Sequence, residues 1–273
     1  MTSEAAVDAL LGRVVEEAPL VESVTNAVTV ADVAAVIRQW GALPVMADDT
    51  REIDAMVGAA EAVHLNMGTV DVDGEAALVT AVEAAAAHEV PSVFDPVGVG
   101  ATPTRTAVAT AVTDTAAPTI IKGNHAEISA LAGADAEVRG VESVGTYAAI
   151  GETAQRCAEA TGAVVVASGA TDVVATADRV VSISGGDPML GRVVGTGCML
   201  GASLAAFVAV APTPMEAAVA GTVAFGRAAE LAMSGRYGPI AGPASFKTRF
   251  IDAVAGMREV PIGSLEGRLT EGP

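Results

Sequence analysis

Three short segments of this chain carry residue types that could do chemistry together. Val193-Val194-Gly195-Thr196-Gly197-Cys198-Met199-Leu200-Gly201 reads as an apolar strand exit, a small-residue turn and the first turn of an apolar helix. Amides in a helix's first turn lack intrahelical acceptors, and the aligned peptide dipoles add partial positive charge, so the turn is a candidate phosphate site. Cys198 stands at its mouth, where a helix N-terminus is expected to make a thiol easier to deprotonate. A packed Gly-Thr-Gly turn with an inert cysteine is the plainer alternative. The second segment, Asp95-Pro96-Val97-Gly98-Val99-Gly100-Ala101, sets a carboxylate near two glycines. Such a carboxylate can hold Mg²⁺ or its waters while bare backbone lets a phosphate approach, although an Asp-Pro pair also makes a structural turn.

The third segment, Lys122-Gly123-Asn124-His125-Ala126-Glu127-Ile128, has Asn124 and Glu127 at the spacing of a capping box. A capping residue can also face a ligand. Glu127 is therefore a candidate to join Asp95 at a magnesium ion, and Lys122 offers a point charge to a nucleotide phosphate. Ser168 follows the run Val164–Ala167, and its hydroxyl is either a phosphate contact or part of a turn. Asn26, in Ser23-Val24-Thr25-Asn26, is most simply a helix N-cap, and Met46 is most simply core.

These residues need elements to position them. Short β-branched runs recur at Ala42–Met46, Val63–Asn66, Ser92–Phe94, Thr119–Ile121, Val164–Ala167, Val173–Ala175 and Val180–Ile183. Helical patterns fall near 30–40, 51–60, 74–88, 104–114, 126–132, 144–160, 199–210, 215–234 and 244–257. The alternation predicts an α/β fold with a central, mainly parallel sheet and helices on both faces. The runs around Thr176-Ala177-Asp178 are spaced as a hairpin. Ligands of open α/β sheets bind outside the carboxyl ends of the strands, which is where the candidate residues fall. No composition shift divides residues 1–273, so one domain is expected, with the tail after Met257 as a surface extension.

Composition narrows the function classes. Apolar residues make up 51% of the chain but aromatic ones only 3%, so the core must be built from Ala, Val, Leu, Ile and Met. The net charge of −18 argues against a nucleic-acid partner. Only Lys122 and Lys247 of the 15 basic residues are lysine, a lysine-poor acidic balance that resembles cytoplasmic proteins of high-salt cells. Low-salt destabilisation would separate that from ordinary acidity, because about 1 M salt shortens the Debye length to about 3 Å. The start of the chain has no basic region ahead of an apolar stretch, so no secretory signal is expected and the cytoplasm is. Residues 193–215 carry no charge, but glycines and prolines interrupt them, which predicts a buried helix and no membrane span. Cys157, Cys198 and the three histidines lack metal-ligand spacing.

Taken in order, the segments resemble the hydroxyethylthiazole kinase family, a thiamine-salvage branch of the ribokinase-like superfamily. The resemblance covers roughly residues 19–257 and rests on Val24-Thr25-Asn26, Pro44-Val45-Met46-Ala47, Leu65-Asn66-Met67-Gly68-Thr69, the segment Asp95–Pro103, Gly123–Ile128 and Gly195-Thr196-Gly197-Cys198. It implies a ribokinase-like fold and transfer of the γ-phosphoryl of ATP to the primary alcohol of 4-methyl-5-(2-hydroxyethyl)thiazole, with Mg²⁺. It further implies that Met46, Gly195 and Asn26 contact the alcohol substrate, that Lys122 and Ser168 bind ATP, and that Asp95 and Glu127 organise the metal. Cys198 would take the place of the aspartate base of most relatives, in a homotrimer with active sites between subunits. Lys122 stands where the family usually has arginine and Ser168 where threonine is frequent. Glu22 replaces a common histidine and Asp48-Asp49 replace less acidic residues, changes that fit an acidic surface as well as an altered substrate. Rival readings are a dehydratase of hydrated nicotinamide cofactors, a hydroxymethylpyrimidine kinase, and a non-catalytic nucleotide binder. Cys198, Asn26 and Met46 weigh against the first two.

Overall fold

The computed structural model describes residues 3–133 and 150–272, and the backbone of 138–139 and 142–143. Helix α1 (Glu4–Glu17) is followed by β1 (Leu20–Val24), α2 (Val30–Trp40), β2 (Leu43–Val45), α3 (Ile53–Ala59), β3 (Ala62–Asn66) and α4 (Val72–Ala87). Then come β4 (Ser92–Asp95), α5 (Pro103–Thr115), β5 (Ile120–Asn124), α6 (His125–Leu131), and a small hairpin of β6 (Val138–Arg139) and β7 (Glu142–Ser143). The remainder is α7 (Ile150–Thr161), β8 (Val164–Ser168), β9 (Asp172–Ala175), β10 (Val180–Ile183), a 3-10 turn at Pro188–Arg192, α8 (Thr196–Val208), α9 (Pro214–Met233), α10 (Pro243–Gly256) and β11 (Leu269–Glu271).

Among the described residues nine strands form one sheet in the order β11-β10-β9-β8-β5-β4-β3-β1-β2. From β2 to β8 every pairing is parallel, while β9, β10 and β11 add an antiparallel edge. Side chains alternate across the sheet, as a strand's two-residue period requires. Val93, Val164 and Val166 join the core made with α1, α2, α8, α9 and α10. Phe94 packs with α3, α4 and α5, and Val165 and Ala167 pack with α6 and α7. Helices therefore cover both faces, as expected. Among the described residues no helix is long and apolar enough to cross a membrane.

Several elements differ from the sequence-based expectation. Strand β1 was not expected because Glu22 interrupts its apolar run, yet Glu22 is fully buried and its Oε1 accepts from the Ala47 amide at 3.0 Å. The replacement at Glu22 is thus no feature of an acidic surface. Val193-Val194 is not a strand exit: a 3-10 turn precedes it, and Val194 is exposed. The tail is no mere surface extension either. Ile262 and Leu265 are buried, their amides donate to Asp8 and Glu4 of α1, and β11 pairs with β10. The expected helix near 144–160 is observed from Ile150, its first six positions lying outside the described residues.

Candidate active site

Five parallel strands deliver polar residues to one edge: Asn66 ends β3, Asp95 ends β4, Lys122 and Asn124 lie on β5, Ser168 ends β8, and Asn26 follows β1. Register pairs Asn66 with Asp95 and Asn124 with Ser168. Asp95 is fully buried, accepts from Asn66 Nδ2 at 3.0 Å, and has Lys122 Nζ within 3.3 and 3.4 Å of its two oxygens. Burial pushes the Asp95 carboxyl above its ordinary value and Glu127 adds to this, while Lys122 and Asn66 pull it back. Burial works against the Lys122 ammonium, yet Asp95 and Glu127 hold its pKa above the usual lysine value. Lys122 is therefore a buried partner of Asp95, 3% exposed.

Helix α8 starts directly above this pair. Its N-cap is Gly195 at φ 94°, in the left-handed region, and no side chain caps its first amides. Glycine is required there because a Cβ would lie 2.6 Å from Thr29 Cγ2. Two more glycines allow the helix to sit close. A Cβ at Gly197 would stand 3.1 Å from Lys122 Nζ, and one at Gly201 would stand 3.1 Å from His64 Nε2 and 3.4 Å from Asp95 Oδ2. The helix thus begins at Thr196, not near 199, since these glycines serve packing and do not break it.

Cys198, in the third helical position, faces a continuous polar network. Asn26 Nδ2 lies 2.8 Å from Thr29 Oγ1, 2.8 Å from Asn66 Oδ1 and 3.5 Å from Cys198 Sγ, so the thiol is linked through Asn66 to Asp95. Asn26 is not the N-cap of α2. Thr29 holds that position, and Asn26 Oδ1 instead accepts from the Val28 and Thr29 amides in a local turn. The thiol also departs from expectation. Burial pushes its pKa up and Asp95 adds to the rise, outweighing Lys122, Thr29 and Asn66. A helix N-terminus alone would act the other way.

Glu127 closes the N-terminus of α6. Its Oε2 accepts from the Asn124 amide at 2.7 Å while Asn124 Oδ1 accepts from the Glu127 amide at 2.9 Å, the expected capping box. Its Oε1 accepts from the Gly98 amide at 2.7 Å, tying α6 to the loop after Asp95. Ser168 Oγ donates to the Gly123 carbonyl at 3.3 Å, on the far side of Asn124. Met46 lies on the opposite flank, half-buried against the core that includes α2 and α8. Asp95, Lys122, Asn26, Gly195 and Cys198 are therefore gathered, and Met46 and Ser168 stand on either side.

Other residues carry the site without a sequence signal. Arg105 Nη1 donates to the carbonyls of Met67 and Val97 at 3.1 and 2.6 Å, and Nη2 to Gly68 at 2.7 Å, joining two strand-end loops. His64 is paired through Nδ1 with Ser23 Oγ at 2.8 Å, and burial, with Lys122 nearby, lowers its pKa to about 3, so the ring is neutral. Asn66 could have been found from its place at the end of a β-branched run. Arg105, on the first turn of α5, could not. Beside Asn26 and Asn66 a cleft of about 730 Å³ opens, lined also by Thr25, Val30, Asp48, Asp49 and Thr69. That size suits a small-molecule site.

No group of three or more His, Cys, Asp and Glu side chains among the described residues is arranged to hold a metal ion. Both oxygens of Glu127 are engaged by amides, and Asp95 is engaged by Asn66 and Lys122. This donor set fits an ion that arrives on phosphates and keeps its waters, as Mg²⁺ commonly does, better than an all-protein cage.

Residues 11–259 match the hydroxyethylthiazole kinase family. The chain belongs to that family. It is 55% identical over 263 residues to the hydroxyethylthiazole kinase of Natronomonas pharaonis, with 94% of each chain covered. The structure of hydroxyethylthiazole kinase protein from Pyrococcus horikoshii superposes with a TM-score of 0.84 at 32% identity, covering 98% of this chain and 99% of that one. A ribokinase-like superfamily protein of Enterococcus faecalis shares the fold at a TM-score of 0.63 and 13% identity. Like its kinase relatives, this hydroxyethylthiazole kinase family member therefore has the ribokinase-like architecture of a central sheet with helices on both faces.

Proposed function

We propose that the protein is an ATP-dependent kinase that transfers the γ-phosphoryl group to the primary hydroxyl of 4-methyl-5-(2-hydroxyethyl)thiazole, forming the thiazole phosphate used in thiamine diphosphate biosynthesis by salvage. The observation that carries this reading is the uncapped N-terminus of α8, which sets Cys198 on the Asn26–Asn66–Asp95 network beside the cleft in a chain of this family. The substrate alcohol enters by the cleft that Asn26 lines, with Gly195 and Met46 as its further contacts beyond that lining. The transferring phosphoryl group lies at the α8 amides, with Lys122 beneath Gly197 adding positive charge, and Ser168 binds the remaining phosphates.

Phosphoryl transfer passes through a loose transition state, so positioning and charge stabilisation supply most of the acceleration. The amides of Thr196, Gly197 and Cys198 are fixed in place before reaction and need no reorganisation as charge develops. Cys198 Sγ accepts the alcohol proton late, once the new O–P bond has made that proton acidic. Burial raises the thiol's pKa, so the thiolate that accepts the proton is a stronger base than that of an exposed cysteine.

Mg²⁺ accompanies ATP and, when bound, neutralises charge on the phosphate oxygens. Asp95 and Glu127 would hold its waters. The protein works in the cytoplasm as a homotrimer with active sites between subunits. Val30 of the cleft lining, exposed at 37%, and Val28 and Val72, exposed at 65% and 82% and next in the chain to lining residues, support an apolar contact there. The decisive assay measures ADP release in high salt with Mg²⁺ and ATP, comparing hydroxyethylthiazole, hydroxymethylpyrimidine and no acceptor. Release with the thiazole alone is expected. Product from the pyrimidine only, or from neither, would overturn the reading.

A further inference from the structure

The chain has two lysines, one beside the α8 turn and one paired with a carboxylate that borders it. Lys122 lies beneath Gly197, as described above. Lys247, on α10, lies 2.5 Å through Nζ from Oδ2 of Asp32 in the first turn of α2. Asp32 follows Thr29 by one helical turn, and both side chains face the N-cap of α8. A Cβ at Gly195 would meet Thr29 Cγ2 at 2.6 Å and Asp32 Oδ2 at 3.8 Å. A carboxylate thus borders the turn that must hold an anion.

Alone, that carboxylate would oppose phosphate binding. Like charges separated by several ångströms in a partly buried setting repel with an energy that matters to affinity. Its side chain is 20% exposed, so water screens it only in part. Asp32 is nevertheless favourably placed for α2 itself, since an acidic side chain in a helix's first turn complements the dipole. Lys247 reconciles the two demands by neutralising Asp32 from α10. We infer that Lys247 is a positioning residue of the nucleotide site, which neutralises Asp32 beside Gly195 so that the α8 turn can bind the phosphates of ATP. The inference rests on the reading of this turn as the phosphate site.

The test is the dissociation constant for ATP, measured by calorimetry at about 0.2 M and about 2 M salt, for wild type, Asp32→Asn, Lys247→Met and the double variant. Affinity is expected to follow local charge. Lys247→Met should weaken ATP binding about three- to tenfold at the lower salt, the size of an incompletely screened single charge. Asp32→Asn, which frees the ammonium, should tighten binding, and the double variant should return to within about twofold of wild type. The differences should shrink at the higher salt. Lys247→Arg should retain wild-type affinity. A structural tie predicts another pattern: both single variants and the double would lose melting temperature alike, with no ordering in affinity, and that result would overturn the inference. If Lys247→Met fails to fold, Asp32→Asn alone decides, since unchanged or weaker ATP binding would refute the charge argument. Thiazole turnover by the wild type is recorded in parallel. Its absence with the affinity order intact would reject the kinase reading and keep the inference, whereas turnover without the order would do the reverse.

Discussion

Helices α6 and α8 both begin at the carboxyl edge of the sheet, and their N-termini are built in opposite ways. Helix α6 has only seven residues and is closed by the reciprocal bonds of Asn124 and Glu127. Helix α8 has 13 residues, and Met199 through Val208 are all buried. Its N-cap is a glycine with no side-chain bond. A side-chain cap contributes about 1 kcal/mol, which a seven-residue helix can hardly forgo. Burial of a largely apolar helix contributes far more, so α8 can leave its first amides free for a ligand. The contrast separates a helix start that holds structure from one that is open to chemistry.

The strongest way to break the contrast is to put a side chain at the open end. Gly195→Ala combines a left-handed backbone position with a collision at Thr29, and it should lower turnover about 10³-fold by misplacing the amides that stabilise charge. Circular dichroism and ADP release check this together. A folded variant with full turnover would remove α8 as the phosphate site. Cys198→Ala should cost less, about 10²-fold in turnover, the low end of general-base loss. Cys198→Asp should keep activity and move the alkaline-rising limb of the pH profile to lower pH, because the wild-type thiol is held above its usual pKa. A limb that stays in place would show that the proton goes elsewhere.

At the closed end the readout is reversed. Glu127→Ala removes two amide acceptors, for Asn124 and Gly98, and should lower stability by about 2 kcal/mol by chemical denaturation. It should also raise the Mg²⁺ concentration needed for half-maximal activity. The smallest effect concerns neither end. Burial raises the Glu22 carboxyl from 4.5 to about 7, with Glu52 and Asp48 adding to the rise. Between those pH values the folded state binds more protons than the unfolded one, so Glu22 makes stability fall as pH rises. Glu22→Gln should abolish that contribution and gain about 1–2 kcal/mol above neutral pH. Melting curves of both proteins from pH 5 to 8 would show the difference, and parallel curves would contradict it.

Much of the site was legible because phosphate chemistry leaves local signatures. The Gly195–Cys198 turn, the carboxylate at the end of β4 and the capping spacing of Asn124 and Glu127 are short-range patterns with a physical cause. What could not be read depends on partners far apart in the chain. Asn26 looked like a helix cap because its role comes from Asn66 and Cys198, 40 and 172 residues away. Arg105 had no signal, since three carbonyls from two other loops define its task. Glu22 concealed β1 because a charged residue normally marks a surface. The tail carries no local sign of its packing because the residues that bury and pair it lie on α1 and β10.

The sequence by itself determined the alternating α/β order, the parallel sheet and the family, since hydrophobic period and turn chemistry act between near neighbours. Tertiary structure decided the state of the chemical groups. It paired Lys122 with a buried Asp95, raised the Cys198 thiol where a helix start alone would lower it, and set Asp32, paired with Lys247, beside Gly195. Desolvation and pairing depend on everything that surrounds a group, and only the packed fold supplies those surroundings.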